Sequence, residues 1–585
     1  MSAASQPPGL IASVLGTLPK IRAIIESLDR SALAALEASF EWFGVSGGTV
    51  LFQEGDTAND AFLLVAGRLG VYLESGRGSR LIAQIGPGEL AGEMALISGE
   101  PRSATVVALR DSEIVRIPRQ AVEQLMGSSP QLMLYVVRLL VDRLRRSQRP
   151  SLTQATKALA FIPIDDRPLE QDFADQIKRG FSLLSTRVGF IDSMSSHLSA
   201  EAIAAIEEQH NLVLYLGDRR CSAWSSRCLR QSDHVVLVTD ADYEPDADAD
   251  RQIGDVRRLH RAADLLLINK ADAIEPTGAT RWLGRFSSDR IFHARRGSPA
   301  DYGRVARLTT GRAVGLVLSG GGARGFAHIG AIRALQAAGI PIDLVGGTSM
   351  GALVGGAAAA GLSGEEIAAR LRSGFVGTNP VNDYTVPLIS LVRGRKMARL
   401  LREQCGTRTI ENLWKNFFCV SSNLSSGKIF LHQQGLVWQA LRASTSIPGL
   451  VPPFIDQGQV LVDGGIMNNF PADIMSSQAR GPVVGVDVVA GTQFLAKTSD
   501  IEEKSLLWLL RNGRSSAPGI GSVLVRSATV GSEAQSVLSR SKVDVLIQPQ
   551  LEGIDMLSFQ SFDVAVEQGY RATSEAIERL EKILG

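Results

Sequence analysis

Two apolar runs in the C-terminal half of the chain each end in a cluster of glycines and then reopen as a small-residue, helix-patterned segment. They are "RAVGLVLSGGGARGFAHIGAIRALQAAG" from residue 312 and "IDLVGGTSMGALVGGAAAAG" from residue 342. A buried strand, a glycine turn and a helix start, met twice in succession, is the pattern of a mostly parallel sheet covered by helices. Such turns also hold backbone N–H groups at helix N-termini, where an anion can be bound. The second turn contains Gly347-x-Ser349-x-Gly351, the spacing of a nucleophile elbow, in which the flanking glycines let neighbouring backbone approach closely.

A serine nucleophile needs a base. The seven histidines are His197, His210, His234, His260, His293, His328 and His432, and only His432 follows Ser349. A triad of Ser349, Asp383 and His432 keeps the α/β-hydrolase order, but "NPVNDY" and "FLHQQG" carry no special turn chemistry. His432 is therefore expected to be structural or part of a pocket wall, and His328 to pack a helix. "QVLVDGGIMNNFP" offers a carboxylate instead: Asp463 ends an apolar strand and is followed by Gly464 and Gly465. A plain Asp-Gly β-turn is the alternative reading. Gly320, Gly322 and Gly325 also satisfy the dinucleotide fingerprint, yet the strand after Asp343 runs straight into the elbow, so a Rossmann site is not expected.

Taken together and in this order, "GGGARG", "GTSMG" and "DGG" resemble the hallmarks of the patatin-like phospholipases. The resemblance implies a Ser–Asp dyad, with Ser349 as nucleophile and Asp463 as general base. It implies an oxyanion hole from the N–H groups of Gly320, Gly321 and Gly322, in a loop ordered by Arg324 and closed by Gly325. Chemically, an aspartate of ordinary pKa, about 3.9, is a poor base for a hydroxyl. Partial desolvation would raise it toward a useful value. Acyl transfer through an acyl-serine follows, with no metal and no catalytic cofactor.

Between about 30 and 118 the chain shows short β-type runs separated by glycine turns, the pattern of a small barrel or jelly roll. A helix-patterned stretch over 119–147, basic at its end, and a polar linker, "RPSLTQ", follow. Within this region Gly92, Glu93, Ala95, Arg102 and Ser103 stand in "GELAGEMALISGEPRSA". The segment resembles the phosphate-binding cassette of cyclic nucleotide-binding domains. Arg102 would offer a forked cation to a cyclic phosphate and Glu93 an acceptor to a ribose hydroxyl. A regulatory ligand of the cyclic AMP or cyclic GMP type is expected; a degenerate domain that keeps only the fold is the alternative.

Residues 155–310 alternate apolar strands with helical segments, as in "ALAFIPI", "LVLYLGD", "HVVLVTDAD", "DLLLINK" and "RIFHA". Asn269, Lys270 and Asp272 match N-K-x-D, the guanine-reading motif of GTPases, but no G-x-x-x-x-G-K-[ST] phosphate loop exists in the chain. The motif reads as coincidence or as a relic in a catalytically silent domain. The run from "WLGRF" to "GGGARG" resembles the neuropathy-target-esterase branch of patatin-like proteins, which joins cyclic nucleotide-binding domains to a patatin-type esterase. The expected organisation is multidomain: a lead-in over 1–29, a β jelly roll with helices over 30–148, a non-catalytic middle α/β domain over 155–310, and a patatin-like α/β domain over 312–585. The catalytic core is placed at about 314–490.

Composition agrees with a globular multidomain protein. The chain has 585 residues, 45% hydrophobic and 21% charged, with a net charge of +1, so no global field favours nucleic acid. Its four cysteines show no zinc or disulfide spacing, which points to a reducing, cytoplasmic setting. The N-terminus lacks a basic region before its apolar part, and no run approaches the roughly 20 apolar residues of a membrane span. Contact with a membrane is thus expected to be peripheral. Residues 375–404 mix apolar residues with Arg393, Arg395, Lys396 and Arg399; a lid, a surface for anionic headgroups and a solvated helix face all fit. The resemblance implies a phospholipase or lysophospholipase under nucleotide control. A general carboxylesterase or thioesterase, and a non-catalytic nucleotide-responsive lipid receptor, stay open.

Overall fold

The structure, a computed structural model, describes residues 40–75, 78–121, 158–169, 171–184, 186–198, 200–260, 263–489, 523 and 530–584. Most of the helix expected over 119–147, the linker and the lead-in lie outside these residues. The chain divides into two compact units: Met1–Glu170 with Thr186–Val238 and Pro245–Asp264, and Gln171–Ser185 with Thr239–Glu244 and Leu265–Gly585.

The first unit begins with eight short strands: β1 (Glu41–Val45), β2 (Val50–Phe52), β3 (Asp60–Ala66), β4 (Leu69–Ser75), β5 (Gly78–Ile85), β6 (Leu90–Ala91), β7 (Thr105–Ala108) and β8 (Ser112–Pro118). They form two four-stranded antiparallel sheets, β1-β8-β3-β6 and β2-β7-β4-β5. The sheets pack face to face because each strand offers one apolar side. Phe43, Phe62, Leu64, Leu69, Val106 and Ile114 fill the space between them. The unit continues with β9 (Ala158–Pro163), β10 (Val188–Ile191), β11 (Leu212–Leu216) and β12 (His234–Asp240), paired in parallel in the order β10-β11-β9-β12. Strands β9 and β11 are buried at every position, as a parallel sheet covered on both faces requires. Arg110, from the turn before β8, joins the two parts through both carboxylate oxygens of Glu207 at 3.0 Å.

The second unit includes nearly all of the parallel pair β13 (Asp264–Asn269) and β14 (Ile291–Arg295). Its main sheet contains β15 (Gly315–Leu318), β16 (Leu344–Thr348), β17 (Asn416–Asn423), β18 (Lys428–His432), β19 (Phe454–Asp456), β20 (Gln459–Asp463), β21 (Val483–Val486) and β22 (Val545–Ile547). The order is β19-β20-β17-β16-β15-β21-β22, with β18 also on β17. Strands β15, β16, β17, β21 and β22 run parallel, whereas β20 returns antiparallel to β17. This reversal matters, because it carries the end of β20 toward the end of β16.

Two helices, Phe562–Ser574 and Ile577–Leu584, follow β22. The hydroxyls of Thr573 and Ser574 bond back to the carbonyls of Gly569 and Tyr570 at 2.8 and 2.9 Å, an arrangement that bends helices, and the chain turns there. Helix Phe562–Ser574 lies tightly on Ala327–Ala337. A Cβ on Gly330 would come 1.9 Å from Val566 O, and one on Gly569 would come 1.9 Å from Ala327 O.

Candidate active site

Thr348 closes β16 and Met350 opens the helix Met350–Ala359, so Ser349 makes the turn alone, at φ 53° and ψ −120°. L-residues avoid this region, and it persists only where the surroundings enforce it. Here they do. A Cβ on Gly347 would lie 2.7 Å from Gly351 C, and one on Gly351 would lie 2.2 Å from Leu318 O. The Ser349 N–H donates to Ser444 Oγ at 3.0 Å, and Ser444 Oγ donates to Val420 O at 2.8 Å. Thr348 Oγ1 donates to Asn468 O at 3.0 Å.

The sheet register brings the carboxylate to this turn. Thr348 pairs with Val420 across β16 and β17, and the next residue, Ser421, pairs with Asp463 at the end of β20. Ser349 Oγ donates to Asp463 Oδ2 at 2.7 Å, the N–H of Gly465 donates to Asp463 Oδ1 at 2.8 Å, and the Asp463 N–H donates to Ser446 O at 2.9 Å. A Cβ on Gly464 would meet Val420 O at 2.4 Å, so the turn sits directly on β17. Ser349 is 8% exposed and Asp463 6%. Burial penalises the charged carboxylate more than its two hydrogen bonds favour it, and its pKa is pushed up to about 6. A carboxylate so tuned can take a proton from the hydroxyl it touches.

The glycine loop lies beside the elbow: a Cβ on Gly320 would stand 3.2 Å from Ser349 Cβ and 2.5 Å from Asn469 Oδ1. The Gly320 N–H donates to Asn469 O at 3.1 Å, and Asn469 Nδ2 donates to Gly320 O at 3.3 Å. This corrects the expectation that all three glycines present N–H groups to an oxyanion. The Asp turn carries its own carbonyl to Gly320, and that donor is engaged. Gly321 and Gly322 make no hydrogen bond through N–H among the described residues. Arg324 donates from Nε to Ile554 O at 2.6 Å, and the Ala323 N–H donates to Met556 O at 2.8 Å. Gly325 lets the loop touch the elbow helix, since a Cβ there would lie 2.4 Å from Met350 Cγ.

The competing constellations are not assembled. His432 Nε2 shares a hydrogen bond with Ser421 Oγ at 2.8 Å, and burial lowers its pKa to about 4. Asp383 accepts at Oδ2 from the N–H groups of Arg395 and Lys396, at 2.8 and 3.3 Å, and so caps the following helix. His328 is fully buried with Nε2 on Ser319 O at 2.8 Å. Asp343, the acid a dinucleotide site would have needed, is 1% exposed and bonded to Arg307 and the Val314 N–H. Asn269 of the N-K-x-D run is buried, accepting from the Thr277 N–H at 3.0 Å, while Lys270 and Asp272 are exposed. Among the described residues no cluster of three or more His, Cys, Asp or Glu is placed to hold a metal.

In the N-terminal cassette, Gly92 takes φ 83° and Glu93 opens the short helix Glu93–Ser98, buried. Ala95 packs against Ala58 and Ala61, and Ser103 is exposed. Arg102 is held by the domain itself. It is 4% exposed, its Nη1 donates to Gly92 O at 2.8 Å and its Nη2 to Asp60 O at 2.6 Å. The guanidinium also lies 4.1 Å over the Phe52 ring. A buried guanidinium requires acceptors, and two carbonyls supply them; burial draws its pKa below the ordinary value.

A mostly parallel α/β sheet with a serine elbow, a glycine loop and a carboxylate turn at one end defines a patatin-type domain. In agreement, residues 316–476 match the patatin-like phospholipase family, residues 44–129 the cyclic nucleotide-binding domain, and residues 186–296 the Neuropathy Target Esterase family P-loop like domain. The chain belongs to the neuropathy target esterase (NTE) family. An NTE family protein of Mycobacterium tuberculosis is 30% identical over 572 residues, covering 95% of this chain and 95% of its own length. The patatin-like phospholipase domain-containing protein 6 of Homo sapiens is 27% identical over 610 residues, covering 92% of this chain and 44% of its own. The lysophospholipase nte1 of Aspergillus fumigatus is 27% identical over 655 residues, with 94% and 42% covered. The chain thus spans less than half the length of these last two relatives.

Proposed function

We propose that the chain is a serine esterase that hydrolyses acyl ester bonds of phospholipids or lysophospholipids through a Ser349–Asp463 dyad, under control of a cyclic nucleotide. The observation that carries the reading is the 2.7 Å hydrogen bond from Ser349 Oγ to a buried carboxylate whose pKa stands near 6. Asp463 takes the hydroxyl proton as Oγ attacks the ester carbonyl carbon. The N–H groups of Gly321 and Gly322 face the developing oxyanion. The carbon–oxygen bond to the alcohol breaks, and Asp463 returns its proton to that oxygen. Water then adds to the acyl-serine, again losing a proton to Asp463, and the fatty acid leaves as Ser349 is restored.

The lipid class of substrate is supported by the relatives named as phospholipase and lysophospholipase. Under this reading residues 312–585 do the chemistry, 155–310 are non-catalytic, and 30–148 bind a nucleotide of the cyclic AMP or cyclic GMP type. A cyclic phosphate would compete with Gly92 O and Asp60 O for Arg102, which is how ligand binding would be felt across the β-sandwich. Coupling to the esterase is then a linkage between two sites.

The test is fatty-acid release from lysophosphatidylcholine, phosphatidylcholine and a p-nitrophenyl ester, with and without cyclic nucleotide. Ser349→Ala and Asp463→Asn should each lose at least about a thousandfold in rate. Unchanged release by Ser349→Ala would remove the mechanism, and a dead His432→Ala beside an active Asp463→Asn would replace the dyad with a triad.

A further inference from the structure

Four large apolar side chains within residues 384–389 stand in water. Tyr384 and Val386 are each 72% exposed, Leu388 88% and Ile389 75%. Single exposed apolar residues are ordinary, but a contiguous group marks a surface that meets something. The loop carrying them is held firmly at its base. The Thr385 N–H donates to Leu391 O at 3.0 Å, the Leu391 N–H to Gly449 O at 2.8 Å, and the Val392 N–H to Leu450 O at 3.0 Å. Val392 is wholly buried with Leu450 and Val451. The same chain segment, a few residues earlier, supplies Ser444 to the Ser349 N–H and Ser446 to the Asp463 N–H. The apolar loop is therefore anchored to the backbone that frames the serine.

Charge follows directly. Arg393, Arg395, Lys396 and Arg399 lie at the start of the helix Arg395–Cys405, all exposed. None of the four forms an ion pair among the described residues. The helix buries Met397 and Leu401 and turns these cations outward. In a chain of net charge +1 this is a local excess of positive charge beside an apolar loop. Two copies of the chain meeting through this patch would set like charges against each other. An anionic bilayer suits both features, taking the apolar residues among its headgroups and the cations at its phosphates.

We infer that residues 384–389 and the start of helix Arg395–Cys405 form a docking surface for an anionic lipid bilayer. The surface brings the segment that frames Ser349 to the membrane. Sequence left a lid, a headgroup surface and a solvated helix face equally open for this stretch; exposure at the loop and its anchoring select the second.

The test uses the full chain carrying Ser349→Ala, so it does not depend on the esterase reading. Co-sedimentation is measured with vesicles of phosphatidylcholine alone and of phosphatidylcholine with phosphatidylglycerol. Binding is expected to the mixed vesicles and to weaken with salt. It should fall at least about tenfold in Leu388→Asp/Ile389→Asp, and also in Arg395→Gln/Lys396→Gln/Arg399→Gln, with melting temperatures unchanged. Three results would overturn the inference: no partition of the parent chain, equal partition of both variants, or a self-associated parent that becomes monomeric in sedimentation velocity when either set is introduced.

Discussion

The N–H of Ser349 and the hydroxyl of Ser444 are joined at 3.0 Å, and that hydroxyl passes its own hydrogen to Val420 O. One small side chain thus ties the elbow to β17, the strand that also aligns Asp463. Ser444→Ala leaves a buried N–H unsatisfied, at about 1–3 kcal/mol, in a residue already held at an unfavourable φ. If that cost falls on the catalytic geometry, kcat drops roughly 10- to 100-fold with KM little changed. Steady-state kinetics on a soluble ester check it; a rise in KM alone would point to substrate contact instead.

In the proposed dyad only ionised Asp463 can act as base, so its pKa near 6 would set the acid limb of the rate profile. kcat/KM should rise with pH, reach half its plateau near pH 6 and stay flat above, with no second limb from histidine. His432 has a pKa lowered to about 4 and touches Ser421 rather than Ser349. His432→Asn should leave the midpoint where it is. A midpoint near 4 would mean that the carboxylate is solvated in the working enzyme.

The same shift predicts a gain in stability when the carboxylate is removed. A folded-state pKa raised from 3.8 to about 6 means that the native protein holds the proton more tightly than the unfolded chain. Stability contributed by Asp463 is therefore lost as pH rises from about 4 to about 6, and the deficit is complete above that. Asp463→Asn keeps the hydrogen-bonding shape without the charge. It should stabilise the fold above pH 6, by up to about 3 kcal/mol, and make no difference near pH 3.5. Thermal or urea melts at the two pH values test the sign.

Arg102 is built into the N-terminal sandwich, and the proposed function gives it a ligand role besides. Arg102→Ala removes two bonds to backbone carbonyls and the stacking on Phe52. The expected outcome is a loss on the order of 2–4 kcal/mol of domain stability together with loss of any nucleotide-induced rise in melting temperature. Arg102→Lys should recover part of the first and little of the second, since an ammonium cannot fork. Calorimetry with and without cyclic AMP and cyclic GMP separates the two effects.

The glycine-marked parts of the site were legible because their meaning is local and steric. Gly351 must be glycine where Leu318 O comes within 2.2 Å of its absent Cβ, and a G-x-S-x-G run announces that need. The scarcity of histidines after Ser349 spoke against a triad, and the resemblance carried by "GGGARG", "GTSMG" and "DGG" pointed to Asp463. What stayed hidden is tertiary: Ser444, Ser446 and Asn469 are ordinary small polar residues whose roles lie in backbone contacts with distant segments. Only the density of hydroxyls in "ASTSIPG" hinted at the first two. Asn469 also explains the donor miscounted at Gly320, because no motif within the loop reveals which carbonyl will reach it.

Residues 554–556 grip the glycine loop at two points, through Arg324 and the Ala323 N–H, and Gly322 has no room for a side chain because Met556 O is there. The segment that matches the patatin family stops at residue 476, so the shape of its glycine loop is underwritten by chain that comes some 80 residues later. Synthesis from the N-terminus therefore delivers Ser349 and Asp463 before the residues that hold the glycine loop. On the proposed function, that loop would take its working shape only once residues 554–556 are in place, so a stretch with no catalytic side chain would decide when the site is complete.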